Sequence, residues 1–126
     1  MEQLSRKFDL EKRCTDFGVA VISLCKKIPQ DAITRPLISQ IVRSATSIGA
    51  NYAEALGGSS KRDFGNKIFI CRKEAQETRH WLNMISSAAE VSTAELDKLK
   101  NEAHELILIF QRINSTLSAK VRKIDN

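Results

Sequence analysis

Residues that break a helix are scarce in this chain. Its 126 residues include two prolines and five glycines, which leaves long stretches free of breakers. No segment alternates apolar and polar residues as a strand does. No apolar run approaches the roughly 20 residues that a membrane-spanning helix needs, and residues 1–7 lack the apolar core of a signal peptide. The sequence therefore predicts a helical, cytoplasmic protein with no membrane association.

Metal-binding patterns are also missing. The three cysteines, Cys14, Cys25 and Cys71, are widely spaced, and no C-x-x-C pair occurs. The histidines, His80 and His104, are single residues on different predicted helices, and no H-x-x-x-H pair occurs. We interpret the cysteines as small core residues and expect no metal and no cofactor.

Catalytic groups do not converge in any recognisable pattern. Acidic residues mostly alternate with basic ones, which is typical of solvated helix faces. The segment 57–61 is faintly similar to a phosphate-binding loop, but it follows a helix and lacks the G-x-x-x-x-G-K-[ST] spacing. It is better explained as the end of one helix and the start of the next. We expect no enzymatic activity and identify no small-molecule substrate.

Four segments have apolar residues at spacings of three and four, which predicts four helices. The first runs from about Leu4 to Lys27, because Pro29 disfavours helix in the residue before it. The second begins near Thr34, a candidate N-cap, and ends at Gly57, where glycine suits a left-handed residue.

The third and fourth helices open with capping boxes, formed by Ser60 with Asp63 and by Ser92 with Glu95. Short connections make consecutive helices antiparallel. A content of 42% hydrophobic and 28% charged residues suits one globular domain over residues 1–126. The predicted fold is all-α, an antiparallel up-down-up-down four-helix bundle.

The third and fourth helices carry more apolar residues than one buried face requires. Residues 68–71 and 106–110 are apolar around most of the helix, and Trp81 lies away from the inward stripe. Either the chain self-associates, which we favour, or the fourth helix lies deeper in its own bundle than usual. The residues expected at contacts between copies are Ile70, Trp81, Leu108 and Ile109.

The second helix has a stripe of polar and small residues that includes Arg43, Ser47 and Glu54, with Asn51 beside it. Small residues allow another helix to approach closely, while the others can hydrogen-bond across the contact. Two interpretations stay open. The favoured one is a polar network between helices or between subunits, and the other is a ligand-binding surface.

Positive charge is concentrated in two segments of a chain whose net charge is +5. We expect no stacking aromatic residue among these cations and therefore no base-specific recognition. The groups either bind the phosphates of RNA or DNA or form a solvated face. Their members are Lys61, Arg62, Lys67, Arg72 and Lys73 in the first segment, and Arg112, Lys120, Arg122 and Lys123 in the second.

Two runs of sequence resemble a known family. Residues 44–55, with 60–64 after them, and residues 73–82 are similar to bacterial four-helix-bundle proteins. Some members of that family are encoded in intervening sequences of large-subunit ribosomal RNA genes. The resemblance extends from about Lys7 to Leu117. One departure is at residues 55–57, where many members have glycine directly after the glutamate, so the end of the second helix can shift by a turn.

The resemblance implies a homopentamer. It also implies a relationship to the accessory variability protein of diversity-generating retroelements, a basic pentamer that binds nucleic acid and a reverse transcriptase. Partners implied for this chain are therefore RNA or DNA and a protein such as a reverse transcriptase. The matching motif positions, expected to be structural, are Ser47, Asn51, Ala53, Glu54, Glu74, Glu77, Thr78 and Trp81.

Overall fold

The computed structural model describes the backbone from Glu2 to Asp125 and the side chains from Leu10 to Lys120. It contains four helices: α1 (Glu2–Lys26), α2 (Thr34–Leu56), α3 (Lys61–Ala88) and α4 (Thr93–Asp125). Each helix packs against the next, and α4 returns to contact α1. No strand occurs in the described backbone. The predicted all-α, up-down-up-down four-helix bundle is confirmed.

The three cysteines lie in the core, as the apolar pattern predicts. Cys14 and Cys71 are essentially inaccessible to solvent, and Cys25 is also buried. Burial raises the thiol pKa values to about 12 for Cys14, about 11 for Cys25 and about 12 for Cys71. All three are therefore protonated near neutral pH and behave as small apolar residues.

The start of α2 differs from its prediction, because Asp31 caps the helix rather than Thr34. One Asp31 carboxylate oxygen accepts the N–H groups of Ile33 and Thr34, each at 2.8 Å. In return, the Thr34 hydroxyl accepts the Asp31 N–H at 2.9 Å and donates to the Pro29 carbonyl at 2.8 Å. The backbone hydrogen bonds from Thr34 and Ile33 lower the pKa of Asp31 below its ordinary value. Thr34 is the first residue of α2, and its hydroxyl contacts the preceding loop at Pro29 and Asp31.

The end of α2 lies at the predicted glycine, but without the predicted left-handed residue. Gly57 has φ −90°, and no described residue has a positive φ. At Gly58 the reason for glycine is close packing and not a left-handed backbone, because a Cβ there would lie 3.1 Å from the Ala55 carbonyl oxygen. The capping serines of the next two helices are confirmed, with Ser60 Oγ and Ser92 Oγ accepting N–H groups at 3.1 and 3.3 Å.

A buried pair of hydroxyls joins α2 to α3. Thr78 Oγ1 lies 2.8 Å from Ser44 Oγ and 2.8 Å from the Glu74 carbonyl, and both residues are fully buried. Ser44 also bonds to the Ile41 carbonyl at 3.3 Å. Because the surrounding side chains are apolar, each hydroxyl depends on these partners.

Replacing Thr78 with valine tests this pair. Thr78→Val keeps the shape of the side chain but removes its hydrogen bonds, and we expect unfolding free energy to fall by about 1 kcal/mol. The matched control is Thr46→Val on α2, an exposed threonine with a similar bond to its own helix; it should stay within about 0.5 kcal/mol of the wild type. Urea unfolding measures both. Equal losses would contradict the role of the buried pair.

Candidate nucleic-acid interface

The outward face of α3 is an exposed stripe without a carboxylate. Its residues recur at spacings of three and four, so they lie on one side of the helix. Every one of them is exposed. We call this surface the α3 stripe; it consists of Arg62, Asn66, Phe69, Lys73, Gln76 and His80.

The basic residues of the first group differ in how they are engaged. Lys61, Arg62 and Lys73 are exposed, and none forms an ion pair with a described side chain. Lys67 instead contacts Glu54, with 2.6 Å between Nζ and Oε2. The charge available to a ligand is therefore concentrated at the beginning of α3 and along its outward face. The positive end of the helix dipole lies at the same place.

Arg72 is half-buried and lies over an aromatic ring. Its guanidinium carbon is 5.1 Å from the centroid of the Phe69 ring. Its Nε is buried and has no hydrogen-bond partner among the described residues. The expectation that no aromatic residue lies among these cations is wrong, because Phe69 is in the middle of them. Because Phe69 belongs to the apolar run 68–71, the sequence pattern predicted it to be buried. Its spacing of three from Arg72, which puts both on one side of the helix, was the feature that could have indicated this contact.

The second basic group lies at the same end of the bundle but on a different side. Asn114 Nδ2 donates to the Gly65 carbonyl at 3.1 Å, which places the C-terminal half of α4 beside the beginning of α3. Arg112 is two residues from Asn114, or about 200° around the helix, so it faces away from α3. Lys120 is exposed, and Arg122 and Lys123 lie outside the described side chains. Arg112 therefore does not share one flat surface with the α3 stripe.

The polar residues predicted on α2 lie along its contact with α3. Arg43 reaches Glu77 at 2.6 Å and Glu74 at 3.3 Å. Ser47 and Asn51 bond to main-chain carbonyls of their own helix, Ser47 Oγ to Arg43 at 2.6 Å and Asn51 Nδ2 to Ser47 at 2.8 Å. We call the ion-paired residues Arg43, Glu54, Lys67, Glu74 and Glu77 the α2–α3 seam.

The two carboxylates beside Arg43 have opposite pKa shifts. The hydrogen bond from Arg43 lowers the pKa of Glu77, and the Trp81 indole adds a smaller effect in the same direction. Burial raises the pKa of Glu74, and the neighbouring Glu77 raises it further. The Trp81 N–H is buried and has no hydrogen-bond partner among the described residues, so Arg43 is the principal partner of Glu77. Arg43 thus pairs with two carboxylates, of which Glu74 is the less exposed.

The apolar residues expected at contacts between copies are exposed to different degrees. Within the run 106–110, Leu106, Ile107 and Phe110 are buried in the chain's own core. Leu108 is 38% exposed, and Ile109 is half-buried. Ile70 and Trp81 on α3 are half-buried. The fourth helix therefore lies deeper than one apolar stripe requires, yet it leaves apolar surface uncovered. The sequence did not identify three further exposed side chains, Val19, Ile33 and Met84.

A groove of about 750 Å³ lies between α1 and α4. Phe17, Ala20 and Leu99 line its apolar part, and Arg13 spans it to bind Glu102 at 2.7 Å. The described side chains contain no group of three or more histidine, cysteine, aspartate or glutamate residues placed to hold a metal ion. None of the described helices is apolar enough over sufficient length to cross a membrane.

Removing Arg43 should change the titration of both neighbouring carboxylates. In Arg43→Gln the pKa of Glu77 should rise, because its main hydrogen-bond donor is lost, and that of Glu74 should rise further. A lowered folded-state pKa stabilises the protein above the unfolded value and loses that effect as pH falls through the folded value. The variant should therefore be least stable relative to wild type near neutral pH, and the difference should shrink below about pH 4.3, the unperturbed glutamate value.

Carboxyl NMR titration and thermal unfolding across pH measure these changes. Lys12→Gln, which removes an exposed pair with Asp16 on α1, is the matched control. The assignment is wrong if Arg43→Gln leaves the Glu77 titration unchanged.

Comparison with known proteins agrees with the fold and with the resemblance of the two sequence runs. One similar solved structure is that of a protein of unknown function from the S23 ribosomal protein family of Bacteroides thetaiotaomicron VPI-5482. It has 30% sequence identity and a TM-score of 0.72, over 82% of this chain and 96% of that chain. No curated protein matches. The family model for the 23S rRNA-intervening sequence protein matches residues 6–112. Because that match spans most of the chain, this protein belongs to the 23S rRNA-intervening sequence protein family.

Proposed function

We propose that this protein is a non-catalytic homo-oligomer that binds the phosphate backbone of RNA or DNA without sequence preference. The observation that carries the proposal is the α3 stripe, where Arg62 and Lys73 are exposed and form no ion pair with a described side chain. Backbone phosphates attract such cations whatever the base sequence, and binding releases condensed counterions.

Charge separation across α3 supports this function. On the α2 side of the helix, Glu74 and Glu77 pair with Arg43, and Lys67 pairs with Glu54. The cations on the outward side form no ion pair with a described side chain, so unpaired positive charge lies on that side. A polyanion that approaches the bundle is therefore drawn to the α3 stripe.

Self-association would repeat this surface around the assembly. Exposed apolar side chains such as Leu108 and Met84 are the kind of surface that a second copy covers. Several copies then present several basic stripes to one nucleic-acid chain, which increases avidity without any new contact. A pentamer is the copy number that the family resemblance implies.

Binding across a salt series tests the nucleic-acid function. Fluorescence anisotropy with a structured RNA and with duplex DNA should show affinity falling roughly a thousandfold or more between about 50 and 200 mM salt, if six or more phosphates are contacted. The double variant Arg62→Glu, Lys73→Glu should bind more weakly, with a smaller salt slope.

The matched control is Lys26→Glu, Lys98→Glu, which makes the same change in net charge at the opposite end of the bundle. Both lysines are exposed. Equal losses in the two double variants would mean that net charge, not the α3 stripe, governs binding. No binding even at low salt would remove the nucleic-acid function and leave a protein-interaction scaffold as the alternative.

Light scattering at micromolar concentration tests the oligomer. We expect a mass that is a multiple of 14.1 kDa. Leu108→Lys should lower that mass, because it places a charge in the apolar surface, whereas Ser39→Lys at an exposed position of α2 should not. A wild-type monomer would rule out self-association.

A further inference from the structure

Phe69 is an unusual residue to find on the solvent side of a helix. It is 51% exposed, although phenylalanine is among the residues most often buried. It lies in the middle of the basic part of the α3 stripe, seven residues after Arg62 and four before Lys73. Its position, on the same face as two free cations, distinguishes it from the apolar residues that pack inward.

Arg72 fixes the environment of this ring. Its guanidinium carbon lies 5.1 Å from the ring centroid, within the range of a cation–π contact. No carboxylate binds this guanidinium among the described side chains, so its charge stays available. The pair therefore combines a flat apolar surface with a positive charge.

Phosphate contacts alone do not require an aromatic residue. In a duplex the faces of the bases are stacked on one another, whereas an unpaired strand can turn a base onto a protein ring. Arg62 and Lys73 are separated by about 16 Å along α3, at 1.5 Å per residue. A strand lying along the helix can thus place phosphates at both cations and one base against Phe69.

We infer that the α3 stripe binds an unpaired nucleic-acid strand, single-stranded RNA or DNA, with a base stacked on Phe69 beside Arg72. This inference rests on the proposed nucleic-acid function and specifies its ligand. A second copy of the chain fits the same surface less well. It would have to bring carboxylates to Arg62 and Lys73, yet the chain has 20 lysines and arginines against 15 acidic residues. A polyanion supplies negative charge throughout its length.

The test compares single strands with duplexes for the full-length wild type and Phe69→Ala. The probes are labelled oligo(U), oligo(dT) and the blunt RNA and DNA duplexes of equal length. We expect the wild type to prefer a single strand. Phe69→Ala should weaken single-strand binding by about 5- to 150-fold, the range for loss of one stacked base, and leave duplex binding unchanged. Phe69→Trp should retain single-strand affinity, and its added indole fluorescence should be quenched by the strand.

Val19→Ala is the matched control, because Val19 is an exposed apolar residue on a different helix, α1, at 56% exposure. It should leave single-strand affinity unchanged. The oligo(U) and oligo(dT) arms distinguish RNA from DNA, and circular dichroism confirms that each variant is folded.

Three results separate failure of the inference from failure of the proposed function. If single strands and duplexes bind equally and Phe69→Ala changes neither, the stacking inference is wrong while backbone binding stands. If no probe binds at low salt, both are wrong. If Phe69→Ala lowers the assembly mass in light scattering, Phe69 lies between copies of the chain, and the stacking inference is overturned.

Discussion

The packing of α2 against α3 determines which way the remaining surfaces of the bundle face. In its interior, Thr78 bonds to Ser44, and the Cys71 thiol lies 3.5 Å from the Ile48 carbonyl oxygen. These contacts require one register between the two helices, because a buried hydroxyl without a partner is costly. Once that register is set, Glu74 and Glu77 face Arg43 while Phe69 and Lys73 face solvent. The charge difference between the two sides of α3 is therefore a consequence of core packing.

Much of the fold could be predicted because it depends on local periodicity. Apolar residues at spacings of three and four placed all four helices, and Ser60 and Ser92 marked two of their starts. The start of α2 could not be assigned as reliably, since Asp31 and Thr34 both have side chains that cap helices. Which of them does so depends on the path of the loop. The close approach of Gly58 to the Ala55 carbonyl oxygen likewise depends on the path of the backbone.

Less of the candidate site could be predicted from the sequence. Counting charges identified both basic groups, but not that Lys67 is paired with Glu54 or that Arg112 faces away from α3. Those facts depend on helix rotation and on long side chains reaching across a contact. Phe69 was missed for a different reason. In an apolar run every residue looks suited to the core, and only the rotation of α3 shows which one is left outside.

The groove between α1 and α4 marks the side of the bundle where neighbouring helices pack least closely among the described residues. These two helices contact each other least among neighbours, and Arg13 to Glu102 and Lys27 to Glu95 are the described ion pairs that join them. Such partly exposed pairs are screened by salt, whereas the α2–α3 core is not. Rising ionic strength therefore weakens the contact between α1 and α4 more than it weakens the buried contacts between α2 and α3.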